Sequence, residues 1–163
     1  MAPSETVGYL SLGSNVEPRE DYLRRALAEL DRSAGLRLLR VSSFYVTAPW
    51  GGVPQADFYN LAAAVATTLA PRELLAICQK AEDRLGRRRD GPRWGPREID
   101  IDILLLGDII WHDESLTIPH PFLTERAFVL TPLREITPDL RLPGGELLAG
   151  WEGTGRARKL EKR

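Results

Sequence analysis

Asp100 and Asp102 stand two residues apart in the run Glu98-Ile99-Asp100-Ile101-Asp102-Ile103, which turns wholly apolar through Leu106. Acids alternating with β-branched residues predict a strand over about 99–106. On a strand both carboxylates share a face, with Cα atoms roughly 6.5 Å apart. On a helix the same spacing would turn them about 200° apart. Two acids on so apolar a strand are costly unless neutralised. A hard divalent cation would do this, and oxygen donors alone suit Mg²⁺ rather than zinc. The solvated face of an edge strand fits the pair equally well when it is taken alone.

The preceding residues add positive charge. Arg84, Arg87, Arg88, Arg89, Arg93 and Arg97 are offset between 84 and 97 only by Asp90. Gly86, Gly91, Pro92, Gly95 and Pro96 make this segment a loop. Arginines grip phosphate oxygens bidentately, and carboxylates hold the metal that bridges them. Loop and strand together would form half of a phosphoryl-transfer site. The loop by itself also suits a solvated surface or a nucleic-acid-binding module.

The motif Arg93-Trp94-Gly95-Pro96-Arg97-x-x-Asp100-Ile101-Asp102 resembles the signature of the 6-hydroxymethyl-7,8-dihydropterin pyrophosphokinases. The resemblance runs from Gly13-Ser14-Asn15 to Phe128 and beyond, nearly the whole chain. It implies pyrophosphate transfer from ATP to 6-hydroxymethyl-7,8-dihydropterin in folate biosynthesis, with AMP released. It implies catalytic roles for Arg87, Arg97, Asp100 and Asp102, with the two aspartates holding Mg²⁺, expected as two ions. ATP would meet Gln79, Glu82, Arg87, Arg97, Ile103, Thr117, His120 and Arg126. The pterin would meet Thr47, Ala48, Trp50, Phe58, Asn60, Trp94 and Phe128. Trp94 would sit in a mobile loop that closes the site against water. The family often has proline at Ala48, tyrosine at Phe58 and at Pro121, and a basic residue at Ser115. Phe58 keeps the ring and loses a hydroxyl, and the contacts at the last two positions are in doubt.

The residues around these positions fit that assignment. Thr47 to Asn60 reads as a loop longer than most connections in compact domains, a length usual in functional loops. Its aromatics, Trp50, Phe58 and Tyr59, offer flat faces beside the hydrogen-bonding Thr47 and Asn60. That is what a planar heterocycle needs, stacking being worth roughly 1–3 kcal/mol per base. Packing of these rings into the core is the plainer alternative. Cys78 lies on the apolar face of a predicted helix and reads as core. Gly13-Ser14-Asn15 reads as a structural turn, lacking the Lys-Ser/Thr of a P-loop.

Several elements must position these groups. A first strand is expected over 7–12 and a helix over 18–33, with Pro18 in its first turn and Gly35 as its cap. A second strand is expected over 37–45 and an alanine-rich third over 61–69. A helix over 71–85 opens on Pro71 and stops at Gly86. With the acidic strand the order is β-α-β-β-α-β, so the fold is expected to be α+β: a single domain with a ferredoxin-like core. Gly107-Asp108 signals a hairpin whose return strand is 109–111. Partial helix is expected over 124–136, then short helical structure, and a flexible polar tail from Gly153 to Arg163.

Bulk properties exclude other classes. The 163 residues suffice for one core and not comfortably for two. A composition 43% hydrophobic and 28% charged argues against disorder. A net charge of −1 makes the whole molecule no polyanion binder, so the arginine loop is a local feature. One cysteine allows no internal disulfide and fits a reducing compartment. No secretory signal is seen, and no apolar run approaches about 20 residues, so a cytoplasmic protein with no membrane partner is expected. It is further expected to be a monomer acting on small molecules and binding no nucleic acid.

Overall fold

The computed structural model describes residues 4–49, 52–88 and 95–160. Trp50 and Trp94, and with them Arg89, Asp90 and Arg93, lie outside the described residues.

Strands β1 (Thr6–Ser14), β2 (Leu36–Val41), β3 (Tyr45–Thr47), β4 (Phe58–Thr67) and β5 (Asp100–Leu106) belong to one antiparallel sheet. Its order is β5-β1-β4-β3, with β2 beside β3 on the same flank of β4. Helices α1 (Arg19–Asp31) and α2 (Pro71–Arg84) connect the strands. They bury Leu23, Leu30, Leu74 and Cys78 against Leu10, Leu12, Leu61, Val65, Ile101 and Ile103. Burial pushes the Cys78 thiol far up, so it stays an inert core group as expected. Helix α3 (Ala127–Ile136) packs on the opposite face, where Leu130 and Leu133 meet Ala62, Ala64 and Leu105. The alanines of β4 leave room for this second layer. Mixed α and β structure in a single domain follows, because both cores share one sheet.

Local chemistry sets the boundaries. Pro71 opens α2, and the Glu73 carboxylate accepts the Ala70 N–H at 2.8 Å. That closes half of a capping arrangement at a helix end with otherwise free donors. After α1 the chain turns at Gly35, with φ 81°. A Cβ there would lie 2.8 Å from Leu69 Cδ2, so only glycine fits.

Four local expectations are corrected. The single strand expected over 37–45 is broken into β2 and β3. Ser42 takes over the ladder at the break: its N–H donates to the Ala62 carbonyl and its hydroxyl accepts the Ala62 N–H, both at 2.9 Å. The imperfect alternation of 36–46 reflects that break. The loop expected over 47–60 is shorter, because β3 reaches Thr47 and β4 begins at Phe58. Thr47, Phe58 and Asn60 therefore sit on strand ends.

The return strand expected over 109–111 does not fold back on β5. Instead β6 (Trp111–His112) pairs with β7 (Thr117–Ile118), and the His120 N–H reaches the Leu104 carbonyl at 2.9 Å on the edge of β5. Finally, the segment expected as a frayed tail contributes β8 (Ala157–Lys159), paired with β3. An open edge on β3 favours such pairing even for a basic, weakly patterned segment. Thr154 also exchanges backbone hydrogen bonds with Glu125 and Ala127, which fixes the start of α3. Among the described residues no helix is long and apolar enough to cross a membrane.

Candidate active site

Sheet register gathers the site. Asp100 lies opposite Gly13 and Asp102 opposite Ser11, while Gly13 is also opposite Asn60. Phe58 pairs with Thr47. Directly opposed residues on paired strands point to the same face. These groups therefore crowd the end of the face that α3 leaves open. Arg126, at the N-cap of α3, and Phe128 overhang them, and Arg87, Gly95 and Arg97 close the remaining side. The enclosed cavity is about 170 Å³, more than ten times the roughly 10–15 Å³ that holds one water by the same measure. It is sized for an organic ligand.

One end of the cleft is a neutral slot. Thr47 and Asn60 are buried, and the Asn60 amide donates to the Thr47 hydroxyl. Ala48, Phe58 and Phe128 supply apolar surface. Gly13 is the floor. A Cβ at that position would lie 2.3 Å from Asn60 Oδ1 and 3.4 Å from the Phe58 ring. Gly13→Ala should therefore displace the Asn60 amide. The expected result is a planar ligand held roughly tenfold more weakly, with little loss of ATP-analogue affinity, as titration calorimetry would read.

The other end is charged. Arg87 Nη2 lies 3.3 Å from Asp100 Oδ1, and Arg87 Nη1 lies 3.6 Å from Glu82 Oε1. Glu82 is buried on α2, and its Oε2 accepts the Ile101 N–H at 2.8 Å. It thus stands behind Arg87 and ties α2 to β5. The Arg97 guanidinium donates to the carbonyls of Gly95 (3.2 Å) and Pro96 (3.0 Å). Burial drives the Asp102 carboxyl well above the usual carboxylate range, and repulsion from Asp100 and Glu82 adds to it. Arg126 and Arg87 only partly oppose this. Two neighbouring carboxyls whose mutual repulsion the arginines only partly offset fit a divalent cation that takes hard oxygen ligands. Among the described residues no group of three His, Cys, Asp or Glu could hold a metal. Phosphate oxygens and water would have to complete the coordination of an ion on Asp100 and Asp102.

Asn15 links the two ends, a role that its reading as a turn former does not anticipate. Its Nδ2 donates to Gln55 Oε1 at 2.8 Å and to the Ala56 carbonyl at 2.9 Å. Its Oδ1 accepts the Arg97 N–H at 2.8 Å, and its own N–H reaches the Arg97 carbonyl at 3.1 Å. One buried amide thus fastens the loop before β4 to the loop before β5. Asn15→Ala is expected to lower kcat/KM about a hundredfold through misplacement of both loops, with both substrates' KM values rising together in steady-state assays.

Ten of the expected positions share the cleft: Arg87, Arg97, Asp100, Asp102 and Arg126 with Thr47, Ala48, Phe58, Asn60 and Phe128. Five do not line it. Glu82 lies behind Arg87, Gln79 is exposed on α2, and Ile103 is buried in the core. Thr117 sits on β7, with Oγ1 3.0 Å from His112 Nδ1. His120 is half-buried, and burial, with Arg126 nearby, lowers its pKa to about 4. Its Nδ1 accepts the Phe122 N–H at 3.1 Å, which leaves the proton on Nε2. His120 is thus a neutral one-proton donor at physiological pH. Ser11, Gly13 and Gly95 also line the cleft. Gly95 lies in the signature motif and Gly13 in the Gly-Ser-Asn run, but neither is expected from the sequence to line the site, and no sequence signal marks Ser11. Strand register discloses the place of Ser11, whose hydroxyl can donate and accept, and of Gly13, which has no side chain.

Among the described arginines between 84 and 97, Arg84 and Arg88 are exposed and Arg87 and Arg97 are partly buried. Arg84 pairs with Glu29 at 2.9 Å, while Arg87 and Arg97 line the cleft. The nucleic-acid reading is not supported.

Comparison with known proteins bears on this arrangement. A family model described as 7,8-dihydro-6-hydroxymethylpterin-pyrophosphokinase matches residues 9–138. The 2-amino-4-hydroxy-6-hydroxymethyldihydropteridine pyrophosphokinase of Bacillus subtilis is 48% identical over 130 residues, 80% of this chain and 77% of that protein. Its namesake from Pseudomonas aeruginosa is 46% identical over 155 residues, 91% of this chain and 94% of that one. Among solved structures, Plasmodium falciparum HPPK-DHPS with pteroate superposes with a TM-score of 0.71 at 15% identity, over 92% of this chain and 42% of that one. That likeness speaks to the fold alone, and this chain spans less than half of the larger protein. The match to the family takes in β1, both strand ends of the neutral slot, and the carboxylate strand: the chain belongs to the 7,8-dihydro-6-hydroxymethylpterin-pyrophosphokinase family.

Proposed function

We propose that this chain transfers pyrophosphate from ATP to 6-hydroxymethyl-7,8-dihydropterin, giving the pterin diphosphate and AMP in folate biosynthesis. The observation that carries the reading is one cleft with a Thr-Asn-Phe slot at one end and a pair of carboxylates facing arginines at the other. Family membership and the names of relatives nearly half identical support it.

In this reading the pterin ring lies between Phe58 and Phe128, and Thr47 and Asn60 read its polar edge. The hydroxymethyl oxygen is thereby aimed at the β-phosphorus. Its attack breaks the bond from that phosphorus to the oxygen that leaves with AMP on the opposite side, and the hydroxyl proton passes to Asp100 or water. Positioning of this kind supplies much of the acceleration when the transferred group needs little covalent help. Asp100 and Asp102 would hold Mg²⁺, expected as two ions. When bound, the metal neutralises polyphosphate charge and polarises the phosphoryl group. Arg87 and Arg97 neutralise charge that develops on the transferred oxygens. Arg126 in the cleft meets the nucleotide, and Gln79, Glu82, Ile103, Thr117 and the His120 Nε2–H, none of which lines the cleft, are the further nucleotide contacts in this reading. Trp50 and Trp94, which lie outside the described residues, remain the further candidates for contact with the pterin. A ferredoxin-like core is part of this reading, supported by the strand order β5-β1-β4-β3, and an added hairpin is supported by the pairing of β6 with β7. A monomer acting in the cytoplasm belongs to the same reading, a single cysteine suiting a reducing compartment.

The test is incubation with ATP, Mg²⁺ and the dihydropterin alcohol, followed by separation of nucleotides. AMP formed in step with pterin diphosphate is expected. Pterin-dependent ADP would mean an ordinary kinase and would overturn the reading.

A further inference from the structure

Arg19 opens α1 and does not line the cleft, yet its side chain is only 20% exposed. Arginine is seldom so covered without a partner. Nη1 donates to the Asp57 carbonyl at 3.0 Å, and Nε lies 2.8 Å from Glu17 Oε1. The guanidinium carbon sits 3.9 Å from the centroid of the Tyr59 ring, within the range of a cation–π contact.

Asp57 and Tyr59 flank Phe58, the ring that walls the neutral slot. Strand register shows why the flanks need holding. β1 ends at Ser14, opposite Tyr59, so at Phe58 the ladder continues only on the β3 side, through Thr47. The Arg19 donor occupies the Asp57 carbonyl just where β1 has turned away. Tyr59 points to the face opposite Phe58 and Asn60, as alternation requires. Arg19 thus grips the start of β4 from behind while Phe58 faces the cleft.

We infer that Arg19 is a positioning residue: it fixes the first residues of β4 and so holds the Phe58 ring at the wall of the slot before the pterin arrives. The inference rests on the reading of Phe58 given under Proposed function. Preorganisation of this kind lowers the ordering cost of binding and leaves the chemical step alone. It therefore predicts a split between the two substrates.

The experiment uses the full chain as Arg19→Met, which keeps the aliphatic stem, and Arg19→Lys, which keeps the charge. Affinity for 6-hydroxymethylpterin is measured by calorimetry beside a non-hydrolysable ATP analogue, and kcat at saturating pterin. Arg19→Met is expected to weaken pterin binding roughly tenfold, with ATP-analogue affinity and kcat near those of the parent. Arg19→Lys should recover part of the loss. In a cycle with Phe58→Ala, the double variant should bind pterin no worse than Phe58→Ala alone, because both act through one ring. Parent-like pterin binding by Arg19→Met, or full additivity with Phe58→Ala, would overturn the inference. Unchanged pterin binding by Phe58→Ala itself would instead sink the reading of the slot, and this inference with it.

Discussion

Replacing either Asp100 or Asp102 by alanine is expected to cut AMP production by about a thousandfold or more, on the several kcal/mol a correctly held metal supplies. The fold should survive, because neither side chain belongs to the apolar clusters that join sheet and helices. The two positions should differ in one respect. Asp102 is held where burial and two neighbouring acids disfavour its charge. An Asp102→Asn variant without ligand should therefore melt a few degrees above the parent, although it turns over as poorly as Asp102→Ala. Sites that bind charge commonly give up stability in this way. Differential scanning calorimetry beside a nucleotide-product assay reads both effects. A variant that kept near-parent turnover would show that the pair does not hold the metal.

The second large effect is expected at Arg97. Its guanidinium donates to carbonyls of its own loop, contacts that phosphate oxygens can replace at little cost. Arg87 is engaged with Asp100 and Glu82 and must leave them to meet the nucleotide. Arg97→Ala should lower kcat by about a thousandfold, within the range seen for arginines that neutralise a transferring phosphoryl group. Arg97→Lys should recover only part, since an ammonium cannot match two oxygens at once. Arg87→Ala should cost less in kcat, because Asp100, freed of its ion pair, holds the metal more readily. Steady-state kinetics at saturating ATP and pterin compare the three. Equal losses at Arg87 and Arg97 would contradict the distinction.

Much of this site is legible in the residues themselves. The alternation of Ile99, Ile101 and Ile103 with acids places Asp100 and Asp102 on one face, and the sheet keeps them there. Of the arginine segment, the described Arg87, Arg88, Gly95, Pro96 and Arg97 lie outside helix and strand, while the residues between 88 and 95 lie outside the described ones. What the residues do not disclose is pairing. Ser11 and Gly13 are small and uninformative until register sets them opposite Asp102 and Asp100. Asn15 looks like a turn former because its partners, Gln55, Ala56 and Arg97, are remote in sequence. The break at Ser42 depends on a side chain replacing a backbone group, which periodicity does not register. The segment after Gly153 joins the sheet because β3 offers it an edge, a tertiary cause with no local signature. His120 is singled out by likeness, but its neutral, Nε2-protonated state comes from burial and from the Phe122 N–H.

The most direct test is a crystal grown with Mn²⁺ in place of Mg²⁺, a non-hydrolysable ATP analogue and 6-hydroxymethylpterin, with anomalous scattering to locate the metal. Anomalous peaks at Asp100 and Asp102 beside the nucleotide's phosphate oxygens are expected, with a pterin ring stacked on Phe58. Peaks elsewhere, or carboxylates turned away from the nucleotide, would contradict it.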